Sequence, residues 1–401
     1  MKSATATAVA RSVIPTPAEL YERARSLVPM LAERASSFSA ETRIPADVID
    51  AMKALGLFRI LQPKNWGGYE LSPSVFYEVQ TILAEGDMSA AWVFGILGVH
   101  NWHLALFDAR LAAEVWADDE DVLVASTYMP VGKVEEVEGG FKLSGRWKFS
   151  SGCDNADWIL LGAMLPDCKG GVEPGTLAVP LADLRIVEDS WQVNGLRGTG
   201  SKDIVVEGAF VPAYRTHRHR QGYLCDSPGM KVFGAPLYKL PFGQVFIRAV
   251  NTSCIGALQG FAGAVADYAA KRVSPFGGKA AENQSVQVSI AEALSAVSEM
   301  KAVLHRNFAT LEGYIARGET PPTSERVLFK YQAAQVASRA ADAANKLYRV
   351  VGGMGLFTDT PFPRMLNDIL AARQHAFNQD YSFACNLGAI AIGRENTDYF
   401  I

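Results

Sequence analysis

The chain has 401 residues, 49% apolar and 20% charged, with a formal net charge of −4. This composition sets disorder aside, and the length suggests roughly two or three domains around a sizeable core. The slight acidity gives no support for nucleic acid or an anionic membrane as partner. No apolar run approaches the ~20 residues of a membrane span. Five scattered cysteines, never spaced C-x-x-C, argue against a disulfide framework or a zinc site and for a reducing cytoplasm.

Residues 1–15, rich in Ala, Ser and Thr without a continuous apolar stretch, read as a flexible tail and not a signal peptide. Residues 16–118 read as a helical domain. Thr16-Pro17-Ala18-Glu19 is a capping box with Pro at the first helical position, and Leu20, Ala24, Leu27 and Leu31 then share a face. Pro45 opens a second helix whose Val48, Ile49, Met52, Leu55 stripe ends at Gly56. Pro63 to Gly68 is a turn, and Ser72-Pro73 starts a helix carrying Val75, Phe76, Val79 and Leu83. Ser89 to Phe107 is apolar nearly all round, which predicts a buried helix. It nevertheless contains His100, Asn101 and His103, and buried polar groups must be paired. His100 therefore reads either as a satisfied core histidine or as a functional one, two turns beyond Trp92 and roughly on its side. A His100/His103 metal pair lacks a carboxylate at a helpful spacing.

Residues 119–215 change to short β-rich runs, Val122–Tyr128, Val134–Val137, Thr176–Pro180 and Ile204–Val211 among them, which predict a small barrel or sandwich. Phe141, Leu143, Trp147 and Phe149 alternate with polar residues as in a half-buried strand, and Trp158 to Met164 reads as a fully buried one. The polar link Ser150 to Asn155 between them is either a surface hairpin turn or a seat of hydroxyls for a flat, polar-edged ring such as a flavin. Asn194 to Ser201 is Gly-rich, but without strand–turn–helix context it reads as a tight connection. Residues 216–240 form an irregular connection, and the basic run Arg215 to Arg220 reads as a solvated loop. Residues 241–401 read as a helical bundle. Its helices are an Ala- and Gly-rich one over Val245–Lys271, one carrying Ile290 to Ile315 at three-four spacing, one over Val327–Val351, and a last from about Pro363 to Ile392.

This order of domains resembles the acyl-CoA dehydrogenase fold: mainly α with a central β-domain, from an N-terminal helical domain through a small β-barrel or sandwich to a C-terminal four-helix bundle. The markers are Pro63…Trp66-Gly67-Gly68, the Trp147–Trp158 turn, Gly195-Leu196-Arg197-Gly198-Thr199, Arg272…Phe276-Gly277, Gln284-Ser285-Val286-Gln287 and Gly352-Gly353-Met354-Gly355. Gly98 to Asp108, Ser150 to Asp154, Gly195 to Ser201 and His375-Ala376 are similar to the oxygenase components of two-component flavin-dependent aromatic monooxygenases, such as the 4-hydroxyphenylacetate 3-hydroxylase oxygenase and the secosteroid phenol hydroxylase. Two absences agree with that branch. Dehydrogenases of this fold need a carboxylate base, and the usual position here holds Ala376 beside His375, while Asp267 is the only acid of the Val245–Lys271 helix. There is no dinucleotide fingerprint either, so hydride from NAD(P)H would enter on another protein, as reduced flavin.

The resemblance implies an enzyme that uses reduced FMN or FAD and O2, through a C4a-hydroperoxide, to hydroxylate a phenol- or indole-type substrate. N- or S-oxygenation and flavoprotein dehydrogenation are the alternatives. It implies His100 as the residue that polarises or deprotonates the substrate, Ser126 as its neighbour, Ser151 at flavin N5, and His375 on the other side. Trp92, Ser126, Thr127, Tyr128, Phe149, Ser150 and Ser151 would line the ring, Arg272 would meet the phosphate, and Gly353, Met354, His375 and Ala376 would complete the site, some from a neighbouring subunit of a homotetramer. An NAD(P)H:flavin reductase would be the electron donor. Phe377 to Tyr381 departs from the near relatives, which leaves the substrate open.

Overall fold

The computed structural model describes residues 13–167, 170–273 and 277–401. Most of the expected tail (residues 1–12), Cys168 and Phe276 lie outside the described residues. Helices α1 (Pro17–Glu41), α2 (Ala46–Ala54), α3 (Pro73–Gly86), α4 (Met88–Leu104) and α5 (Ala109–Trp116) come first. The expected capping box starts α1: Thr16 Oγ1 accepts from the Glu19 N–H, and Glu19 accepts from the Thr16 N–H. Asp87 caps α4 by accepting from the Ala90 N–H at 2.8 Å, and every residue of α4 is buried.

Strands β1 (Val124–Val137), β2 (Gly140–Ser150), β3 (Trp158–Pro166), β4 (Val172–Pro180), β5 (Arg185–Val187), β6 (Lys202–Pro212) and β7 (Thr216–Arg218) form one sheet in the order β5-β6-β2-β1-β3-β4-β7. The link from Ser150 to Asn155 is therefore not a hairpin turn. Strand β1 lies between β2 and β3, antiparallel to the first and parallel to the second. The two runs expected at Val122–Tyr128 and Val134–Val137 are one strand with a bulge between Thr127 and Gly132. A second bulge, between Trp147 and Ser150, reverses the parity of β2. Phe149, with φ 69°, turns outward to 60% exposure, and Ser150 turns inward. One extra residue in a strand sends every following side chain to the other face.

The segment expected to be an irregular, solvated connection is more ordered than its charge suggests. β7 pairs with β4, and the short helix α6 (His219–Leu224) follows it. Strand alternation sends His217 into the core while Arg218 bonds Glu173 outside.

The bundle consists of α7 (Phe242–Ala249), α8 (Ser253–Lys271), α9 (Gln284–Ala316), α10 (Thr323–Val351), α11 (Phe362–Arg373) and α12 (Asp380–Ala391). Two expected helices are broken, at residues 250–252 and 374–379. Asn378 joins the breaks: its Nδ2 donates to the freed carbonyls of Val250 (2.9 Å) and Ala372 (2.8 Å). Carbonyls at helix ends lack their intrahelical partner, and here one buried amide bonds one at each break. The breaks turn α7 and the 375–378 segment toward α4. Gly256 and Gly260 let α8 lie directly on the backbone of α3, where a Cβ would strike the carbonyls of Thr81 and Glu85. That close approach meets the expectation from its small residues.

Candidate active site

Helix α4 supplies two anchors, Trp92 and His100, about 12 Å apart along its axis at ~1.5 Å per residue. Each meets a different part of the sheet. At one end, the Trp92 indole N–H donates to Ser151 Oγ (3.1 Å), Ser151 Oγ lies 2.7 Å from Ser201 Oγ, and Ser201 Oγ lies 2.7 Å from Thr199 Oγ1. Thr199 donates to the Leu196 carbonyl at 2.8 Å. The carbonyl can only accept and the indole can only donate, so the direction of the row is fixed. Ser201 donates to Thr199, and Ser151 donates to Ser201. Ser151 Oγ keeps one position open for an incoming donor. Ser150 Oγ is fully buried and has no partner, while Thr127 donates to the Lys148 carbonyl at 2.8 Å.

The Gly-rich 195–201 segment, expected as a mere connection, is thus part of the site. It is pinned from the bundle. The Leu196 N–H donates to Asp368 Oδ1 (2.6 Å), and Arg364 ties Asp368 to Asp87, the α4 cap, at 3.9 and 3.0 Å. Burial pushes the Asp368 carboxyl up to about 7 and Asp87 to about 6. Ser201 also borders an open cleft of about 230 Å³ lined by Arg146, Lys148, Phe149, Trp191 and Asp203. Phe149 stands edge-on to Trp191 there and faces away from the row of hydroxyls, a consequence of the bulge.

At the other end, His100 Nδ1 lies 2.8 Å from the Val124 carbonyl, and its Nε2 is buried with no partner. A carbonyl accepts only, so Nδ1 carries the proton and Nε2 presents a lone pair. Burial holds this imidazole down to about 3, against a smaller upward pull from the Val124 bond, so it is neutral at working pH. Phe246 (6.1 Å between centroids) and Tyr128 (6.0 Å, edge-on) flank the ring. Ser126, buried and two residues beyond Val124 on β1, stands beside Tyr128. His103 is excluded from a metal pair by its own bonds, since its two nitrogens meet the Tyr128 hydroxyl (2.7 Å) and His217 (3.0 Å).

A row of rings joins the two ends. His375 stands edge-on to Trp92 at 5.7 Å, Phe377 lies 5.5 Å from His375, and Phe246 lies 5.9 Å from Phe377. Phe400 stacks on Phe377 at 4.7 Å. His375 Nδ1 accepts from the Phe377 N–H at 3.2 Å, so its proton sits on Nε2. Burial holds His375 down to about 4. The two imidazoles therefore have opposite polarity: His100 offers an acceptor and His375 a donor.

The structure gathers Trp92, His100, Ser126, Thr127, Tyr128, Ser150, Ser151 and His375 along α4 and the central strands. Ala376 is exposed beside His375. Arg272, Gly353 and Met354 form a separate group at the end of α10. Arg272 donates to the Val351 carbonyl (2.8 Å) and lies over Gly352, and no bond among the described residues links them to Ser151. Sequence reasoning missed Ser201, Thr199, Phe246 and His217. A hydroxyl at alternate positions of a Gly-rich run, and a His inside an alternating basic run, were the available signals.

A family model described as acyl-CoA dehydrogenase, C-terminal domain, matches residues 250–380. The flavin-dependent monooxygenase oxygenase subunit HsaA of Rhodococcus jostii is 36% identical over 384 residues, 95% of this chain and 100% of that protein. The oxygenase component of an FADH(2)-dependent resorcinol hydroxylase from a Rhizobium is 32% identical over 348 residues, 83% of this chain and 84% of that one. The crystal structure of 3-HSA hydroxylase from a Rhodococcus superposes with a TM-score of 0.91 at 35% identity, covering 96% of this chain and 99% of that chain. With its order of helices, sheet and bundle, the chain belongs to the flavin-dependent monooxygenases, as an oxygenase component of the two-component branch built on the acyl-CoA dehydrogenase fold.

Proposed function

We propose that this oxygenase hydroxylates a phenolic ring, with reduced FMN or FAD received from a separate NAD(P)H:flavin reductase in the cytoplasm. The observation that carries the reading is the bare Nε2 of His100, a neutral buried base flanked by the rings of Phe246 and Tyr128. A phenol O–H is the group such a lone pair engages, and drawing its proton away makes the ring electron-rich. The same nitrogen accepts the N–H of an indole, which keeps that substrate class as the second choice.

The serine turn fits a reduced flavin. The open acceptor position of Ser151 suits a ring N–H, the unpartnered Ser150 hydroxyl suits a polar ring edge, and Trp92 and Thr127 stand beside them. When bound, the reduced flavin supplies two electrons and the means to activate O2. The chain's own residues do the rest. His100, with Ser126 beside it, takes or polarises the substrate proton. His375 holds a donor N–H at the flavin end, and Ser151 orients the ring through its fixed hydrogen-bond direction. Phe246, Phe377 and Phe400 exclude water, which would divert the oxygen to peroxide. Arg272, Gly353, Met354 and Ala376 are proposed to complete the flavin site of a neighbouring copy in a homotetramer, which accounts for their separation from Ser151 within one chain. No carboxylate stands among the lining side chains described, which disfavours thioester dehydrogenation.

The test is product analysis with isotope-labelled O2, reduced flavin and a panel of phenols and indoles. One labelled oxygen atom in a ring hydroxyl is expected. Peroxide as the sole product across the panel would overturn the reading.

A further inference from the structure

Beyond the two ends of the site, hydrogen bonds continue from Tyr128 in a line through the protein. The Tyr128 hydroxyl lies 2.7 Å from His103 Nδ1, His103 Nε2 lies 3.0 Å from His217 Nδ1, and His217 Nε2 lies 2.9 Å from Ser227 Oγ. Ser126 stands beside the same tyrosine on β1. All five side chains are buried or nearly so, and Ser227 adjoins Asp226, whose side chain is 74% exposed.

Each member both gives and accepts a hydrogen, so the line has two fully neutral arrangements. In the first, Tyr128 donates to His103, His103 to His217, and His217 to Ser227. In the second, every bond is reversed. Moving from one to the other carries one proton along the line and strands no charge inside.

We propose that Ser126, Tyr128, His103, His217 and Ser227 are a proton relay that conducts the substrate hydroxyl's proton from the His100 end of the site to the outer segment at Ser227. The proposal rests on the reading of His100 as the group that engages that proton. The substrate O–H bond breaks and its proton reaches Tyr128 Oη through Ser126. The tyrosine's own proton passes to His103 Nδ1, the His103 Nε2 proton to His217 Nδ1, the His217 Nε2 proton to Ser227 Oγ, and the serine's proton to water. One proton enters, one leaves, and no electron moves. The rings are reset when a proton from water enters at Ser227 and the same shift runs backwards, returning one proton to the site.

Two observations support a conduit over a mere structural tie. His100 is a poor place to store a proton, because burial opposes its charge. The titratable groups facing His103 are His100, His217, His219 and Tyr128, and no carboxylate is among its partners in the described residues. His219 bonds Thr176 (3.2 Å) and lies against Phe242 and Phe400, off the line. The remaining neighbours of His103 and His217 are the rings of Phe107 and Phe242.

The experiment mixes the full chain with 4-nitrophenol, about one pH unit below that phenol's own pKa, in a weakly buffered indicator dye. The phenolate band reports ionisation at the site, and the dye reports the proton reaching bulk water. In the wild-type protein the two signals are expected to rise together. In His217→Asn and Ser227→Ala the band and the bulk proton are both expected to appear on the order of 10²-fold more slowly, the scale of a lost proton-transfer partner, because burial leaves His100 unable to hold the proton that the broken line no longer carries. Either variant suffices if the other fails to fold. A band and a proton release as fast as the wild-type protein's in a folded variant overturn the relay and leave the role of His100 standing. A wild-type protein that forms no phenolate overturns both, whereas loss of the band in His100→Ala alone sustains that role.

Discussion

The two ends of the site are built from different materials, and the difference suits each to the separate work proposed for it. The Ser151 end is a row of hydroxyls with every hydrogen committed, held by a turn and a Gly-rich loop that open onto a cleft. The His100 end is buried and aromatic, with one bare nitrogen. A cofactor that arrives by diffusion needs an accessible seat whose polar groups are already aligned. A reactive oxygen species in transit needs a dry enclosure and a single well-aimed base. Trp92 and His100 sit on one rigid helix, so the spacing between the two tasks is fixed by α4 itself.

The largest effect is expected from breaking the His100 end alone. His100→Ala removes the lone pair and leaves the Val124 carbonyl without its donor. Hydroxylated product is expected to fall by about 10²–10⁴-fold, the range for a lost general base. Reduced flavin should still be consumed, because the serine end is untouched, so the oxygen appears as peroxide. Parallel assays of product and peroxide decide it. A variant that loses both activities together would show that the ends are not separable.

Much of this division was legible in the chain. The apolar run from Ser89 to Phe107 with histidines in it could only be a buried helix with polar business inside, and α4 is that helix. The serine turn was visible as hydroxyls between two aromatic strands. Phe149 was misread because alternation predicts parity only while a strand stays regular, and a bulge leaves no mark in the pattern. The helix breaks near residues 250 and 375 were missed for a related reason. Val250, Asn251 and Thr252 contain no Gly or Pro, and the stop comes from Asn378, more than a hundred residues away. Strand pairing brings His217 to His103, and no local spacing announces it.

A second effect sharpens the contrast through pH. Burial lowers His100 and His217 to about 3, His219 and His375 to about 4, and His103 well below its usual value. The unfolded chain binds protons at these rings near 6.5 while the folded one refuses them. Stability is therefore present above about 6.5 and is lost as pH falls toward 4, at about 1.4 kcal/mol per pH unit for each ring. Asp368 and Asp87 act in the opposite sense, since their raised values let the folded state take protons first, from about 7 and 6 downward. Five imidazoles outweigh two carboxyls, so the melting temperature should drop steeply between pH 6.5 and 5. Because four of the five rings lie on the aromatic side, saturating phenol should protect against the drop more than oxidised flavin does. A melting temperature flat across that interval would contradict the neutral, buried state of these rings.

The smallest effect tests the serine end by itself. Ser201 Oγ sits between Ser151 and Thr199, and Ser201→Ala removes the acceptor for Ser151 and the donor to Thr199. Stability should fall by about 1 kcal/mol, the usual scale of one hydrogen bond. The functional consequence is more specific than the stability loss. Freed from Ser201, the Ser151 hydrogen can turn toward the ring site, so a group whose direction was fixed becomes free to rotate. Coupling, read as product formed per O2 consumed, should decline severalfold while the KM for the phenol stays put, because His100, proposed to meet the substrate's proton, lies about 12 Å away along α4. Movement of that KM with coupling unchanged would mean that the hydroxyl row belongs to the substrate and not to the flavin, and the assignment of the two ends would have to be exchanged.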